Sequence, residues 1–213
     1  MAAAPVNDPF NIRRSQVKFG QLQTAIKFGM KIPRTIVTNK PNEAKAFIKE
    51  LKNKVLCKSL KTTFVKINNI PVHSFAHKLS KSEMKEQIES VRFVPTLLQE
   101  YIEKKIELRI NVIGNNVFAT EIDSQSLEIT KSDWRKANPW DIPHRPYKLP
   151  VKLERQLIDF IKHYNLSFGA IDMILTPTGD YVFLENNPNG QWYWIEMITK
   201  QPLAQNIAKL LIS

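Results

Sequence analysis

Two carboxylates and an amide, Asp172, Glu185 and Asn187, fall within one stretch of this 213-residue chain, and their spacing brings them together. Residues 168 to 191 read FGAIDMILTPTGDYVFLENNPNGQ. Two runs rich in branched and aromatic residues, Ala170 to Leu175 and Tyr181 to Leu184, flank Thr176-Pro177-Thr178-Gly179-Asp180, whose Pro and Gly suit a tight reversal. The pattern predicts a β-hairpin. Alternation puts Ala170, Asp172 and Ile174 on one face, and Tyr181, Phe183, Glu185 and Asn187 on one face of the partner strand. Folding about residue 178 sets Asp172 roughly opposite Glu185, with Asn187 close by. Carboxylates set across a ladder repel each other, so a cation must sit between them. Hard oxygen donors of this kind suit magnesium bridging to phosphate oxygens. The plainer alternative is a solvated hairpin face with scattered acids; against it, both acids interrupt otherwise apolar strands.

Other residues invite a chemical reading less strongly. Lys58 sits in the apolar run Val55 to Leu60, where a lysine more often snorkels to solvent than serves a ligand. A second hairpin is expected from Ile106 to Ile113 and Asn116 to Ile122, reversed at Gly114-Asn115. In it Leu108, Ile110 and Val112 alternate with Glu107, Arg109 and Asn111, so one face is apolar and the other polar, with Glu107 and Arg109 pointing the same way. Arg135 lies between residues 123 and 150, a stretch expected as a long ordered loop because Trp134, Trp140 and Tyr147 need burial. The histidines at 73, 77, 144 and 163 are not spaced as paired metal ligands, and neither Cys57 nor any serine lies in a recognisable activated turn. There is no Walker-type loop and no dinucleotide fingerprint. A bound nucleotide must therefore be held by lysines and sheet edges.

The elements that would position these groups follow from apolar spacing. Residues 1 to 14 form an expected flexible lead-in. Helical spacing starts near Ser15 with Leu22, Ala25 and Ile26 on one side, Lys18 near its beginning and Gly29 at its end. Ile32 to Asn39 reads as extended and Asn42 to Lys52 as a helix. Residues 61 to 78 suggest a flexible loop followed by a short strand, and Ser80 with Glu83 forms a capping box for a helix to about Ser90. Phe93 to Ile102 is extended. Leu153, Leu157, Ile161 and Tyr164 mark an amphipathic helix, and a last helix starts near Pro202.

The totals narrow the partners. A hydrophobic fraction of 43% with 24% charged residues is that of a folded chain, whereas a net charge of +11 favours an acidic partner. One cysteine excludes an internal disulfide framework, and no apolar stretch reaches the length of a membrane span. A cytoplasmic protein is expected.

Lys58 on a strand, Gln99-Glu100-Tyr101-Ile102, Glu107-Leu108-Arg109, Asp172 and Glu185-Asn186-Asn187-Pro188 occur in an order and spacing that resemble the ATP-grasp ligases. More narrowly, Asn7-Asp8-Pro9, Gln21-Leu22, Ile32-Pro33-Arg34-Thr35, Phe168-Gly169-Ala170-Ile171-Asp172 and Asn187-Pro188-Asn189-Gly190-Gln191-Trp192 look like the microviridin-type maturases that crosslink ribosomally made graspetides. The resemblance implies an α+β ATP-grasp fold, with two lobes of mainly antiparallel sheet closing over ATP: a small lobe at 15 to 98, an adenine-binding connector at 99 to 102 and a C-terminal lobe at 103 to 213. Lys18 and Lys58 would contact nucleotide phosphates, Gln99, Glu100, Tyr101 and Ile102 would bind adenine, and Glu107 would lie near the nucleotide. Asp172, Glu185 and Asn187 would hold magnesium, and Arg109 and Arg135 would steady charge on the reacting phosphate.

The resemblance further implies a ligase that activates Asp or Glu side chains of an acidic precursor peptide with ATP and forms ester or amide crosslinks, without nucleic acid or membrane partners and with a homodimer as one arrangement. Members of that family carry a further N-terminal domain, so the chain resembles a fragment, a shortened form or a degenerate copy. The segment Leu60 to Lys66 also lacks the glycines that many ATP-grasp enzymes place in a phosphate lid, and Asn186 replaces a usual apolar residue. Two alternatives remain: a non-catalytic basic binding module built on an ATP-grasp core, and a ligase for free amino acids or small acids.

Overall fold

The computed structural model describes residues 5 to 212 apart from 59, 61–63, 68–69, 74–76 and 132–133. Two short helices open the chain. Helix α1 (Pro9–Ser15) begins because the Asp8 carboxylate accepts hydrogen bonds from the Phe10 and Asn11 amides and Pro9 needs no partner for a donor it lacks. Helix α2 (Lys18–Lys27) ends ahead of Gly29, whose φ of +75° is a left-handed conformation that glycine adopts without strain.

Contacts divide the chain into Pro33–Ile102 and a larger unit, Met1–Ile32 with Glu103–Ser213. This corrects two expectations. The lead-in is ordered from buried Asn7 onward, and residues 15 to 32 belong to the larger unit rather than to a small lobe of 15 to 98. The physical cause is apolar: Leu22, Ala25 and Met30 complete the larger unit's main core.

The smaller unit contains β1 (Thr35–Thr38), α3 (Pro41–Glu50), β2 (Val55–Lys58), β3 (Phe64–Ile67), β4 (Ile70–His73), β5 (His77–Lys78), α4 (Lys81–Gln87), a 3-10 turn (Ile88–Phe93) and β6 (Thr96–Glu100). An antiparallel sheet runs β1-β6-β2-β5, and β3 pairs with β4 separately. Ala44, Ile48, Val55, Met84, Ile88 and Leu98 form its core. The Ser80–Glu83 capping box is present in both directions. Parts of the loop expected at 61 to 78, and of the glycine-free segment 60 to 66, lie outside the described residues. Gln99 and Glu100 are strand residues, Gln99 paired with Thr35 on one side and Leu56 on the other.

In the larger unit, β7 (Ile106–Ile113), β8 (Asn116–Ile122), β9 (His144–Tyr147), α5 (Val151–His163), β10 (Phe168–Leu175), β11 (Tyr181–Asn187), α6 (Tyr193–Thr199) and α7 (Leu203–Ile212) follow in sequence. The antiparallel sheet has the order β11-β10-β7-β8-β9. One face carries Leu108, Ile110, Val112, Ile171 and Met173 against Leu157, Phe160 and Ile161 of α5 and Leu22 of α2. Ile113, Phe168 and Ala170 on the opposite face meet Ile195 of α6 and Leu203 of α7. Residues 123 to 150 are not wholly loop, since β9 pairs with β8. Trp134 is buried as expected, but Trp140 is exposed. No helix among the described residues is long and apolar enough to cross a membrane.

Gly169 is where this packing is tightest, because a Cβ there would lie 2.3 Å from Ile161 Cδ1 and 2.5 Å from Asn186 Oδ1. Gly169→Ala is expected to destabilise by about 2 kcal/mol through overpacking. Gly179→Ala, in open space but at φ +86°, is expected to lose about 1 kcal/mol through backbone strain alone. Urea unfolding of the two variants checks the order; an equal or smaller loss at Gly169 contradicts the packing described.

Candidate functional site

The site begins with a fault in a ladder. From the turn, Leu175 pairs with Tyr181, Ile174 with Val182 and Met173 with Phe183, after which Asp172 pairs with Glu185, Ile171 with Asn186 and Ala170 with Asn187. Leu184 is the extra residue of a β-bulge, which reverses the facing of everything beyond it. Phe183 and Tyr181 therefore pack with the core beside Met173 and Leu175, while Glu185 and Asn187 share the face of Asp172. The expectation that all four residues share one face fails for Tyr181 and Phe183. The opposition of Asp172 and Glu185 holds because the bulge supplies the missing step.

Across the sheet, one row reads Thr120, Arg109, Asp172, Glu185 on β8, β7, β10 and β11. Arg109 Nη1 donates to Asp172 Oδ1 at 2.9 Å, and Nη2 donates to the Gln191 carbonyl at 3.1 Å. Asn187 Nδ2 donates to Asp172 Oδ2 at 3.2 Å. Glu185 is approached from two other sides, by Lys18 Nζ at 3.4 Å and Arg135 Nη1 at 3.7 Å. Burial pushes the Asp172 carboxyl above its ordinary pKa; Arg109 opposes the shift and Glu185 adds to it. Gly190 lets the 188–191 loop lie over this row, since a Cβ there would stand 2.8 Å from both Arg109 Nη2 and Ala170 Cβ. Lys18 is the first residue of α2, a helix end where a cation is disfavoured, and it is balanced there by Glu185.

The larger unit thus brings together Lys18, Arg109, Arg135, Asp172, Glu185 and Asn187. Glu107 occupies the same sheet face as Arg109, buried and paired with Lys104 at 2.6 Å. Lys104, itself buried, carries no spacing signal that would have singled it out. Lys58 and Gln99 to Ile102 belong to the smaller unit. Gln99 is buried, its Nε2 on Thr35 Oγ1 at 2.9 Å and its Oε1 without a hydrogen-bond partner among the described residues. Glu100 accepts from the Arg34 amide, the Tyr101 amide donates to Lys54, and Lys78 lies 4.3 Å from the Tyr101 ring centroid. Asn7 and Gln21 stand in the phrases that carry the resemblance, but no spacing marks either for chemistry. Each is buried and bonded to the backbone of the site hairpin.

The donor set can be tested against the implied cation. Among the described residues no cluster of three or more His, Cys, Asp or Glu exists that would make an all-protein cage. Two carboxylates and one amide oxygen are instead what magnesium takes from a protein when phosphate and water complete its shell. Asp172, buried with a raised pKa, stands directly across the ladder from Glu185, and a cation held between the two carboxylates would offset their repulsion. The residues fit.

The architecture is the ATP-grasp fold, α+β with antiparallel sheets. The chain belongs to the RimK-like ATP-grasp domain family, whose model matches residues 15–211. It is similar to a RiPP-associated ATP-grasp ligase of Chryseobacterium gregarium solved with ADP and a leader and core peptide, at 35% identity and a TM-score of 0.89 over 97% of this chain and 62% of that one. Macrocyclase MdnC of Microcystis aeruginosa, bound with precursor peptide MdnA, is 34% identical with a TM-score of 0.83 over 95% of this chain and 63% of the other. For macrocyclase MdnB of the same organism the identity is 30% and the TM-score 0.76, over 97% and 62%. The chain spans about three fifths of the length of these structures. No curated sequence is similar to it at a significant level.

The row makes its own energetic prediction. Arg109→Met leaves Asp172 buried without its cation and should destabilise by about 3 kcal/mol, whereas Arg109→Met with Asp172→Asn should recover most of that loss. Denaturant unfolding of the single and double variants checks it; additive losses would contradict the pairing.

Proposed function

We propose that this chain is the nucleotide-binding and catalytic core of an ATP-dependent ligase that activates Asp or Glu side chains of a precursor peptide. The observation that carries the reading is the Arg109–Asp172–Glu185 row with Lys18 and Arg135 at its edge, a grouping with little use except toward a polyphosphate and its cation. A nucleic-acid binder gains nothing from paired carboxylates, which repel phosphate. The similar ligases solved with ADP and with peptides support the same class.

In this reading Asp172, Glu185 and Asn187 hold magnesium, which when bound neutralises phosphate oxygens and makes the terminal phosphorus more open to attack. Lys18 and Lys58 contact phosphates. Gln99 to Ile102 receive adenine, and Glu107 lies near the nucleotide. A peptide carboxylate oxygen attacks the terminal phosphorus, the bond to the bridging oxygen breaks, and ADP leaves. A Ser or Thr hydroxyl, or a Lys amine, then attacks the acyl carbon of the mixed anhydride, expels phosphate and gives up its proton. An ester or amide crosslink results. Arg135, more exposed than Arg109 and 3.7 Å from Glu185, steadies the charge that develops on the transferred phosphoryl group in this reading. Arg109, held by Asp172 and Gln191, acts mainly by fixing the row. The net charge of +11 suits an acidic peptide.

The reaction class has a direct test. Hydroxylamine captures an acyl phosphate as a hydroxamate, so protein, magnesium, ATP and an acidic precursor peptide should yield peptide hydroxamate with ADP and phosphate. Glu185→Gln should abolish both products. Release of AMP and pyrophosphate indicates adenylation instead, and no peptide-dependent product, even when the chain is joined to the remaining portion of a similar ligase, favours a binding module.

A further inference from the structure

We propose that Asn7 and Gln21 are positioning residues for the cation site, two side-chain amides that stand in for strand partners at the open end and outer edge of the β10–β11 hairpin. The inference rests on the reading of Asp172, Glu185 and Asn187 as the cation's ligands. Those three residues occupy the pairs farthest from the turn at Thr176 to Asp180. They also depend on β11, which is the outer strand of its sheet. An outer strand at the unclosed end of a hairpin, one residue past a bulge, has little of its own to hold it in register.

Asn7 takes over where the ladder stops. Beyond the Ala170–Asn187 pair, its Oδ1 accepts from the Ser167 and Phe168 amides at 2.8 and 3.1 Å, and its Nδ2 donates to the carbonyls of Phe168 and Pro188 at 2.9 and 2.7 Å. One amide therefore ties the start of β10 to the residue after β11. Gln21 closes the edge. Its Oε1 accepts from the Asn186 amide at 2.8 Å and its Nε2 donates to the Asn186 carbonyl at 2.8 Å, as a neighbouring strand would, while Nε2 also reaches Ser15 O. Asn186 lies between the two ligands Glu185 and Asn187. Gln21 is also three residues beyond Lys18, on the same side of α2, so the grip that aligns β11 sets Lys18 against Glu185. Farther along the edge, the Lys31 carbonyl accepts from the Phe183 amide at 2.8 Å.

A merely structural role is separated from positioning by a control on the same helix. Thr24 of α2 bonds the Tyr164 hydroxyl at 2.9 Å, so Thr24→Val should loosen α2 without touching the ligands. Calorimetry of ADP binding with and without magnesium, on wild type, Asn7→Ala, Gln21→Met and Thr24→Val, measures the gain in affinity that magnesium brings. That gain should fall by about tenfold in Asn7→Ala and in Gln21→Met, and in Asn7→Ala the ADP affinity in the absence of magnesium should be unchanged. Thr24→Val should keep the gain, and hydrogen exchange at the Asn186 amide should speed up in Gln21→Met but not in Thr24→Val. If Asn7→Ala does not fold, Gln21→Met decides alone. An undiminished gain in a folded variant, or an equal loss in Thr24→Val, overturns the proposal. Absence of any magnesium-dependent gain in the wild type overturns the ligand reading itself.

Discussion

The buried carboxylate of Asp172 is the constraint to which the larger unit answers. A charge removed from water needs a partner, and Arg109 directly across the ladder provides one, itself held by the Gln191 carbonyl. Glu185 on the other side then restores the imbalance. Lys18 and Arg135 reach it at 3.4 and 3.7 Å. The sheet thus holds one cation and two adjacent carboxylates side by side in a single row. That arrangement is costly for a fold and useful for handling a polyphosphate.

The cost explains neighbouring features that have no apolar rationale. The bulge at Leu184 turns Glu185 away from the core that Phe183 enters. Gly190 allows the loop after Asn187 to cover Arg109. The N-terminal segment, bound through Asn7 and Gln21, secures the strand whose own pairing ends at the site. In the smaller unit, Gln99 is buried in a strand, its amide oxygen without a hydrogen-bond partner among the described residues.

Much of this was legible from residue pattern. Both hairpins of the larger sheet, the Ser80 cap and the pairing of Asp172 with Glu185 follow from alternation, turn residues and spacing. What escaped had physical reasons. A strict period of two cannot show a bulge, and it sets Tyr181 and Phe183 on the wrong face. Strand β9, with a proline at its third position, lacks strand propensity and exists through pairing with β8. The assignment of residues 15 to 32 depended on which core Leu22 and Ala25 join, which is tertiary information. Asn7 and Gln21 were silent because a side-chain amide that bonds backbone looks, in sequence, like any surface amide.

The central claim is that the carboxylates of β10 and β11 bind nucleotide through a divalent cation. Calorimetry of ATP binding to Asp172→Asn with Glu185→Gln, across a magnesium series, tests it most directly. Both substitutions keep side-chain shape and remove the mutual repulsion, so the fold should persist by melting and circular dichroism. The account predicts that ATP affinity in magnesium falls to the level seen without metal. Unchanged affinity with unchanged magnesium dependence in the folded double variant would contradict it.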